Sequence, residues 1–310
     1  MRRPPAVVIL VVSLLIAAPA IAGTYEDATK AYERGDYKTA FRLIKPLAEQ
    51  GSPKSQYNLG LMYALGHGVR QDYAEAVKWY RKAADQGHVP AQYNLGFMYA
   101  NGQGVPRDYV EAVKWYRKAA DRGDASARYN LGRMYASGQG VRQDYAEAVK
   151  WYRKAADQGD ASARFNLGLM YSSGQGVPQD YAEAVKWYRK AADQGDASAR
   201  YNLGLMYALG QGVAQDHAEA AKWYRKAADR GDASAQFNLG LMYGKGQGVP
   251  RDLVLSYMWF SLAASGFPAS EPGRREMAGS NREIAASKMT PAQVAEAQRL
   301  AREWKPKRGQ

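Results

Sequence analysis

A repeat of 36 residues constrains this chain more than any other feature of its sequence. Nearly the same text returns six times, and its form is clearest in residues 160–195. The period is marked by six tryptophans, each 36 positions after the one before: Trp79, Trp115, Trp151, Trp187, Trp223 and Trp259. A unit this short cannot bury an apolar face alone, whereas stacked copies share one continuous core. The sequence therefore predicts a stacked repeat architecture.

Each repeat carries the signals of two helices, here called A and B. Asp160 is a good N-cap for helix A, and the Gly-Gln-Gly-Val-Pro run at 174–178 interrupts the helical pattern. Asp180 and Glu183 have the spacing of a capping box at the start of helix B. Gly195 is placed to end that helix. The unit is predicted to be an antiparallel helix pair.

Small residues and aromatic residues alternate along these helices in a way that suits close packing. Gly168, Ala184 and Ala191 would let the helix backbones approach, while Trp187 and Tyr188 would fill the space between them. The fold class expected is all-α: a right-handed α-solenoid of stacked antiparallel helix pairs, with helical caps at both ends.

The motifs also resemble a known family. N-L-G-x-x-Y in helix A and A-x-x-x-Y-x-x-A in helix B are similar to the tetratricopeptide signature. The longer loop with G-x-G-V, followed by A-x-x-W-Y-R-K-A-A-x-x-G, resembles the Sel1-like repeat, and this match covers roughly residues 52–267. The resemblance implies a non-catalytic solenoid that acts as an adaptor between proteins.

The repeats and the flanking segments define the expected domain organisation. A tetratricopeptide-like helix pair at 23–51 would cap the N-terminal end, 268–304 would supply C-terminal capping helices, and 305–310 would be a basic tail. Six repeats are expected between them: 52–87, 88–123, 124–159, 160–195, 196–231 and 232–267.

The first 22 residues have the layout of a secretory signal peptide. Met1-Arg2-Arg3 is a positive start, 6–18 is apolar, and Ala20-Ile21-Ala22 is a small-residue cleavage site. An uncleaved membrane anchor is the alternative, but the apolar stretch is shorter than the ~20 residues that a spanning helix needs. We expect cleavage after Ala22, an exported and periplasmic protein, and no stable membrane span after cleavage.

The net charge bears on the kind of partner, and the absence of cysteine bears on how the fold is stabilised. The net charge of +13 would suggest nucleic acid in a cytoplasmic protein, but export argues for no nucleic acid and for anionic envelope polymers or an acidic protein instead. The chain has no cysteine, so an oxidising compartment would add no disulfide. Stability must come from stacking.

The last B helix departs from the other copies. Leu255, Met258 and Leu262 replace charged residues there, so the helix should be buried on every side. Two segments are predicted to cover it: 273–288, through Met277 and Ile284, and a helix that begins with a Thr290–Gln293 capping box and ends at Trp304.

The titratable residues do not form an active-site pattern. His67, His88 and His217 stand where other repeats have Gln, Asp and Tyr, so they are interpreted as drift at structural positions. Asp180 and Glu183 recur as helix caps, which explains their spacing in each copy. G-x-G-V follows no strand and predicts no dinucleotide site. No enzyme activity, cofactor or metal site is expected. Some Sel1-like proteins are linked to β-lactam chemistry, but they resemble a disulfide-bridged variety of the family, and this chain has no cysteine.

Two surfaces remain as candidates for binding. In tetratricopeptide arrays the A helices line a concave groove, and the resemblance carries the groove positions to one aromatic, one asparagine and one mostly apolar site per repeat. The asparagine would pair with the backbone of a bound extended peptide, or else with the neighbouring helix. Asn101 and Arg133 interrupt the apolar set and are predicted to supply specificity. The groove positions are Tyr93, Asn94, Phe97, Asn101, Tyr129, Asn130, Arg133, Phe165, Asn166, Leu169, Tyr201, Asn202 and Leu205.

The second surface is a periodic stripe of cations on the B helices, which we call the basic stripe. A solvated helix face is the plain interpretation, because acids stand at helical neighbour spacing to these cations. The residues are Lys114, Arg117, Lys118, Lys150, Arg153, Lys154, Lys186, Arg189 and Lys190.

The function expected is a non-enzymatic exported scaffold that binds a protein or peptide partner in the groove. The alternative is binding of peptidoglycan or another anionic envelope polymer through the basic stripe, with a role in wall remodelling.

Overall fold

The computed structural model describes residues 24–307, which form sixteen α-helices and no β-strand. The predicted signal peptide at 1–22 lies outside the described residues. The helices are α1 (Tyr25–Glu33), α2 (Tyr37–Glu49), α3 (Pro53–Leu65), α4 (Tyr73–Asp85), α5 (Val89–Asn101), α6 (Tyr109–Asp121), α7 (Ala125–Ser137), α8 (Tyr145–Asp157), α9 (Ala161–Ser173), α10 (Tyr181–Asp193), α11 (Ala197–Leu209), α12 (His217–Ala228), α13 (Ala233–Lys245), α14 (Leu253–Gly266), α15 (Pro272–Ala286) and α16 (Pro291–Glu303). Each predicted repeat is a pair of helices, as expected.

The chain divides into two compact units. The first comprises the described residues up to Ala91 together with Gln103–Pro106, and the second comprises Gln92–Gly102 and the chain from Arg107 onward. Consecutive helices pack together in both units, as α1, α2 and α3 do in the first and α9, α10 and α11 do in the second, while α16 packs against α14. This arrangement is the α-solenoid that the repeat predicted.

The A helices begin and end as their sequence signals indicate. Asp160 Oδ1 accepts a hydrogen bond from the backbone N–H of Ala163 at 2.7 Å. At the other end Gly174 adopts a left-handed conformation, with φ of 72°, and its N–H donates to the carbonyl of Met170. A residue with a Cβ is disfavoured in that conformation, so glycine sets the point at which the helix ends.

The B helices are capped differently from the prediction. Asp180 Oδ1 accepts from the Glu183 N–H at 2.9 Å, as a capping box requires. Glu183 does not return a bond; its carboxylate pairs with Lys186 Nζ at 2.9 Å. The reason is that the Asp180 N–H already donates to the carbonyl of Tyr171 at 2.9 Å. The capping-box prediction was therefore wrong in its second half.

Glycine allows the two helices of a pair to touch through an aromatic ring. A Cβ added to Gly168 would lie 2.5 Å from the Cδ1 and Cε1 atoms of the Tyr188 ring. The same contact joins Gly132 to Tyr152 and, in the last repeat, Gly240 to Phe260. The tyrosine ring thus takes the volume that a side chain on helix A would occupy.

Successive repeats in the second unit meet through the loop glycine and the tryptophan. A Cβ on Gly176 would lie 2.3 Å from the backbone carbonyl of Tyr145, so the loop backbone lies directly against the start of the preceding B helix. Trp187 packs in a cluster with Tyr152 of the preceding repeat and Leu167 of its own repeat. The G-x-G-V motif therefore serves close backbone packing.

A side chain from helix A also satisfies the end of the preceding B helix. Arg164 Nε donates to the carbonyl of Ala156 at 3.1 Å, and Arg200 does the same with Ala192. Where a repeat has glutamine instead, as at Gln236, the amide donates to the equivalent carbonyl. These bonds satisfy carbonyls that a helix end leaves without an intrahelical partner.

The first helix pair packs onto the first repeat within the N-terminal unit. Ala31 and Ile44 form a buried cluster with Leu59 and Met62 of α3. The connection between α1 and α2 is short and contains Gly35, whose φ is 78°.

The last B helix, α14, is covered as the sequence predicted. Tyr257 packs with Ala285 of α15 and Ala297 of α16, and the Trp259 ring meets the Trp304 ring edge to face at 6.3 Å. The capping box formed by Thr290 and Gln293 is present in full. Two terminal helices therefore bury a surface that the repeat itself would leave open.

The face that α15 turns inward differs from the prediction. Ala278 and Ala285 are its buried residues, whereas Met277 is 54% exposed and Ile284 is 56% exposed. The prediction that the two large residues cover α14 was wrong, because α15 packs against it through small side chains.

The basic tail lies against the second unit at its described end. Lys307 Nζ pairs with Asp229 Oδ2 at 2.6 Å, and the backbone N–H of Lys307 donates to the carbonyl of Asp229 at 2.7 Å. The helix ends at Glu303, one residue before the predicted end at Trp304, and Lys307 beyond it remains in contact with the protein.

Candidate functional site

The aromatic groove positions are half-buried, with one face in the core of their own repeat. The Tyr129 ring lies 5.9 Å from the Tyr152 ring, and the Phe165 ring lies 5.9 Å from the Tyr188 ring. The rings at Tyr93 and Tyr201 make equivalent contacts with the B helix. Each aromatic therefore contributes to packing and leaves part of its surface exposed.

The asparagines use one amide N–H within their own helix. Asn130 Nδ2 donates to the carbonyl of Ser126 at 2.9 Å, and Asn166 and Asn202 make the same bond at their positions. Asn130 also interacts with Tyr93: burial raises the pKa of Tyr93, and the hydrogen bond with Asn130 opposes this rise. These bonds lie within a single helix, and Asn130 in addition reaches Tyr93 of the neighbouring A helix.

The third groove position is the mostly apolar one, occupied by Phe97, Arg133, Leu169 and Leu205, and it is the most exposed of the three. Phe97 is 43% exposed, Arg133 is exposed, and Leu169 and Leu205 are half-buried. Asn101 is exposed as well, and its amide donates to the carbonyl of Phe97 at 2.8 Å. An accessible aromatic and an accessible cation therefore occur at the same position of neighbouring A helices.

Arg133 shares one face of α7 with the other two groove positions of its repeat. Its guanidinium lies 5.9 Å from the centre of the Tyr129 ring. Burial raises the pKa of Tyr152, and the positive charge of Arg133 partly opposes that rise. Tyr129, Asn130 and Arg133 thus form one local surface with aromatic, amide and cationic character.

Each cation of the basic stripe has a partner within the fold. The first lysine of each set pairs with a glutamate three residues earlier, at 2.5 Å for Lys114 and 2.9 Å for Lys150 and Lys186. The second lysine lies over the tryptophan of its own helix: Lys118, Lys154 and Lys190 are 3.9, 4.1 and 4.2 Å from the ring centres.

The arginines of the stripe connect neighbouring helices. Arg117, Arg153 and Arg189 each donate to the hydroxyl of the tyrosine 18 residues further on, at Tyr135, Tyr171 and Tyr207. Exposed ion pairs and cation–π contacts are each worth about 0–1 kcal/mol. The stripe therefore has a structural explanation in each repeat.

The candidates for chemistry have structural roles. Asp180 caps α10, and Glu183 pairs with Lys186. His67 accepts or donates a hydrogen bond at Nδ1 with the Tyr32 hydroxyl at 2.8 Å and stacks on Tyr37. Within residues 24–307, no group of His, Cys, Asp or Glu side chains has the arrangement to hold a metal ion.

The structure also has a pocket that the sequence did not predict. It lies between α13, α14 and α15 in the second unit, with a volume of about 200 Å³. The sequence signal was present: Gly244 and Lys245 replace the Ala208 and Leu209 of the preceding repeat. Without the position of α15, this change could not be assigned to a cavity.

Comparison with known proteins agrees with the repeat geometry. The model of the Sel1 repeat matches six consecutive segments, at 53–88, 89–124, 125–160, 161–196, 197–232 and 233–266. The chain belongs to the Sel1-repeat family. Sel1-repeat proteins are α-solenoids of the tetratricopeptide-like superfamily that typically mediate protein–protein interactions and are generally non-catalytic.

Solved structures of other Sel1-repeat proteins resemble this chain. A Sel1-repeat protein from Oxalobacter formigenes is 40% identical, with a TM-score of 0.69, over 79% of this chain and 100% of that one. A protective antigen of uropathogenic Escherichia coli with the same type of fold is 30% identical, with a TM-score of 0.49, over 90% of this chain and 83% of that one. A search of the curated proteins gave no match.

The structure contains no candidate for a membrane-spanning helix among its described residues.

Proposed function

We propose that this Sel1-repeat protein is an exported, non-enzymatic scaffold that binds a protein or an extended peptide along its A helices. The observation that carries the proposal is the surface formed by Tyr129, Asn130 and Arg133. An aromatic ring, an amide and a cation share one face of α7, and the Arg133 side chain is exposed. Aromatic residues and arginine contribute most to binding energy at protein interfaces.

The proposal includes export because of the signal-peptide pattern in residues 1–22. A periplasmic scaffold would meet other envelope proteins after cleavage at Ala22. The absence of cysteine is compatible with that compartment, since the fold is built from stacked helices without disulfides.

Binding through the basic stripe is the alternative, and the contacts favour the groove. The stripe cations are engaged by acids, tryptophans and tyrosine hydroxyls, as described above, while the Arg133 guanidinium lies over the Tyr129 ring face and, within residues 24–307, forms no salt bridge. A partner would therefore displace fewer existing interactions in the groove.

The experiment compares two variants by crosslinking in intact cells, affinity capture and mass spectrometry. The groove variant is F97S/N130A/R133E, which keeps the Tyr129–Tyr152 contact, and it should lose the captured partner at least tenfold. The matched stripe variant, K150Q/R153Q/K154Q, should retain capture. Circular dichroism should show the same helical content in both.

Retention by the groove variant together with loss by the stripe variant would contradict the proposal. Recovery of envelope polymer with no protein partner would contradict it as well and favour the alternative. The captured partner also identifies the compartment in which the complex forms.

A further inference from the structure

The pocket between α13, α14 and α15 differs chemically from the rest of the A-helix surface. Three cations line it, on three different elements: Lys245 at the end of α13, Arg251 in the following loop and Lys288 after α15. Among the described residues, the pocket lining includes no carboxylate, and none of these three cations forms a salt bridge. The pocket therefore presents an uncompensated positive charge.

The remaining lining is mostly apolar. Leu241 occupies the third groove position of the last repeat, and Phe260 and Ile284 come from the two other helices. Ile284 is 56% exposed, and Met277, about two turns earlier on the same face of α15, is 54% exposed. Ile284 thus places an accessible apolar side chain at the pocket, where an apolar side chain of a ligand could contact it.

The sequence departures of the last repeat converge on this pocket. Gly244 and Ser256 stand where the preceding repeat has alanines, Lys245 replaces Leu209, and Phe260 replaces Tyr224. The Ser256 hydroxyl donates to the carbonyl of Gly240 at 2.8 Å, and a Cβ on Gly244 would lie 3.0 Å from that hydroxyl oxygen. Glycine at 244 thus keeps the floor of the pocket open.

The volume limits what can enter. About 200 Å³ is somewhat larger than the ~150 Å³ of an engineered cavity that holds benzene, so one large side chain fits. Asn281 lines the pocket, and its Nδ2 donates to the carbonyl of Met277 at 2.8 Å, which leaves the amide oxygen to accept a backbone N–H.

We propose that this pocket binds an acidic peptide segment of a partner protein through one apolar anchor side chain flanked by carboxylates. The anchor would lie among Leu241, Phe260 and Ile284, and the flanking acids would pair with Lys245, Arg251 and Lys288. The inference rests on the proposed function, because it assigns the partner's chemistry at one end of the same A-helix surface. Charge complementarity of this kind gives specificity and makes binding sensitive to salt.

The test uses a capped, fluorescein-labelled peptide, Asp-Glu-Leu-Glu-Asp, and fluorescence anisotropy with the full mature chain. Binding should be saturable and should weaken as salt rises. Replacing the leucine by alanine, or the acids by lysine and arginine, should reduce affinity about tenfold or more. The protein variant K245E/R251E/K288E should show a similar loss.

Two further variants keep the test independent of folding. Ile284→Ser changes only an exposed side chain and should weaken binding of the leucine peptide but not of the alanine peptide. The control K38E/R70E/R142E makes the same charge change at exposed residues outside the pocket and should leave affinity within about twofold.

Equal binding by the charge-reversed pocket and the control would overturn the inference, as would equal affinity for the leucine and alanine peptides. Binding to vesicles of anionic lipid, with no peptide binding, would also overturn it and assign the charge to a membrane surface. The outcomes also separate the two proposals. If F97S/N130A/R133E loses partner capture and K245E/R251E/K288E retains it, the proposed function stands and this inference is wrong.

Discussion

At the scale of single residues, one backbone position can carry different chemistry in different repeats. Asp124 caps α7 through a 2.7 Å bond from the Ala127 N–H to its carboxylate. His88 stands at the same position one repeat earlier, and its ring lies 4.8 Å from the Tyr57 ring. In the described part of the chain its buried Nδ1 has no hydrogen-bond partner. From the sequence, His88 was interpreted as drift at a structural position. Its surroundings in the structure predict that it makes the stability of the protein depend on pH.

Burial lowers the pKa of His88, and the positive charge of Lys54 lowers it further. The unfolded chain, with a histidine pKa of about 6.5, therefore binds this proton more readily than the folded protein. Stability is retained above that value and falls as the pH drops below it. We expect thermal unfolding, followed by circular dichroism, to show a larger loss of Tm from about pH 7.5 to about pH 5.5 in wild type than in His88→Asn.

The comparison between wild type and His88→Asn removes the contribution of all other titrating groups. If the Tm of both proteins falls by the same amount over this pH range, the pKa of His88 is not lowered by folding, and the prediction is wrong.

At the scale of the helix pair, the contact between a glycine on helix A and a ring on helix B sets how closely the two helices lie. Tyr188 is buried, and burial raises the pKa of its phenol while a hydrogen bond with Ser172 opposes the rise. The equivalent tyrosines are buried as well. The ring is fixed on both sides, so it has little room to yield.

Gly168→Ala should therefore destabilise the protein, although alanine is the better helix former by about 1 kcal/mol. The added Cβ would lie 2.5 Å from two ring carbons of Tyr188, and overpacking of this kind costs about 1–3 kcal/mol. Chemical denaturation should give a lower midpoint than wild type.

Gly279→Ala is the matched control, because nothing lies within 4 Å of a Cβ at that position of α15. It should be neutral or stabilising by about 0.5–1 kcal/mol. A stable Gly168→Ala variant would show that the tyrosine ring can move aside.

At the scale of the whole molecule, the ends of the array need elements that the repeat does not supply. α14 is apolar on all sides, with Trp259 and Tyr257 buried, and α15 and α16 cover it. Each large side chain buried in this way contributes about 1.5–3 kcal/mol relative to exposure. The cap is therefore part of the fold of the second unit.

Removal of residues 268–310 should expose the surface around Trp259 and produce aggregation, measured by light scattering and size-exclusion chromatography. Removal of 305–310 alone breaks the ion pair between Lys307 and Asp229 and the backbone hydrogen bond between the same residues, which together are worth about 1–2 kcal/mol. That shorter deletion should stay soluble and fold normally. A soluble protein after the longer deletion would contradict a capping role for α15 and α16.

The sequence predicted most of the helices, because their start and stop signals act locally. Asp160 and Gly174 act within one turn of their own helix, and the Thr290–Gln293 box was predicted for the same reason. The second half of the Asp180–Glu183 box failed because a carbonyl from a preceding helix, that of Tyr171, had already taken the N–H. Such competition depends on how the end of the preceding helix packs against the start of α10, which the cap residues alone do not show.

The candidate site was predictable only in part. The groove positions were carried over from the resemblance to tetratricopeptide arrays and stay a prediction, and Arg133 stood out as a departure from the residues at equivalent positions. The pocket at the end of the array did not follow, since it depends on where α15 lies and on which of its faces is exposed. Met277 and Ile284 were expected to be buried, and the helix instead buries Ala278 and Ala285.

The sequence by itself determined that this protein is a stack of helix pairs, because a 36-residue period with caps and glycines at fixed positions leaves each pair dependent on its neighbours for a core. Only the tertiary structure decided which partner each polar group takes and which face of the last helices is open. The physical reason is that some hydrogen bonds join residues of neighbouring repeats that are 35 positions apart, as the bond from Gln194 to the carbonyl of Gly159 does, and such pairings leave no local signal.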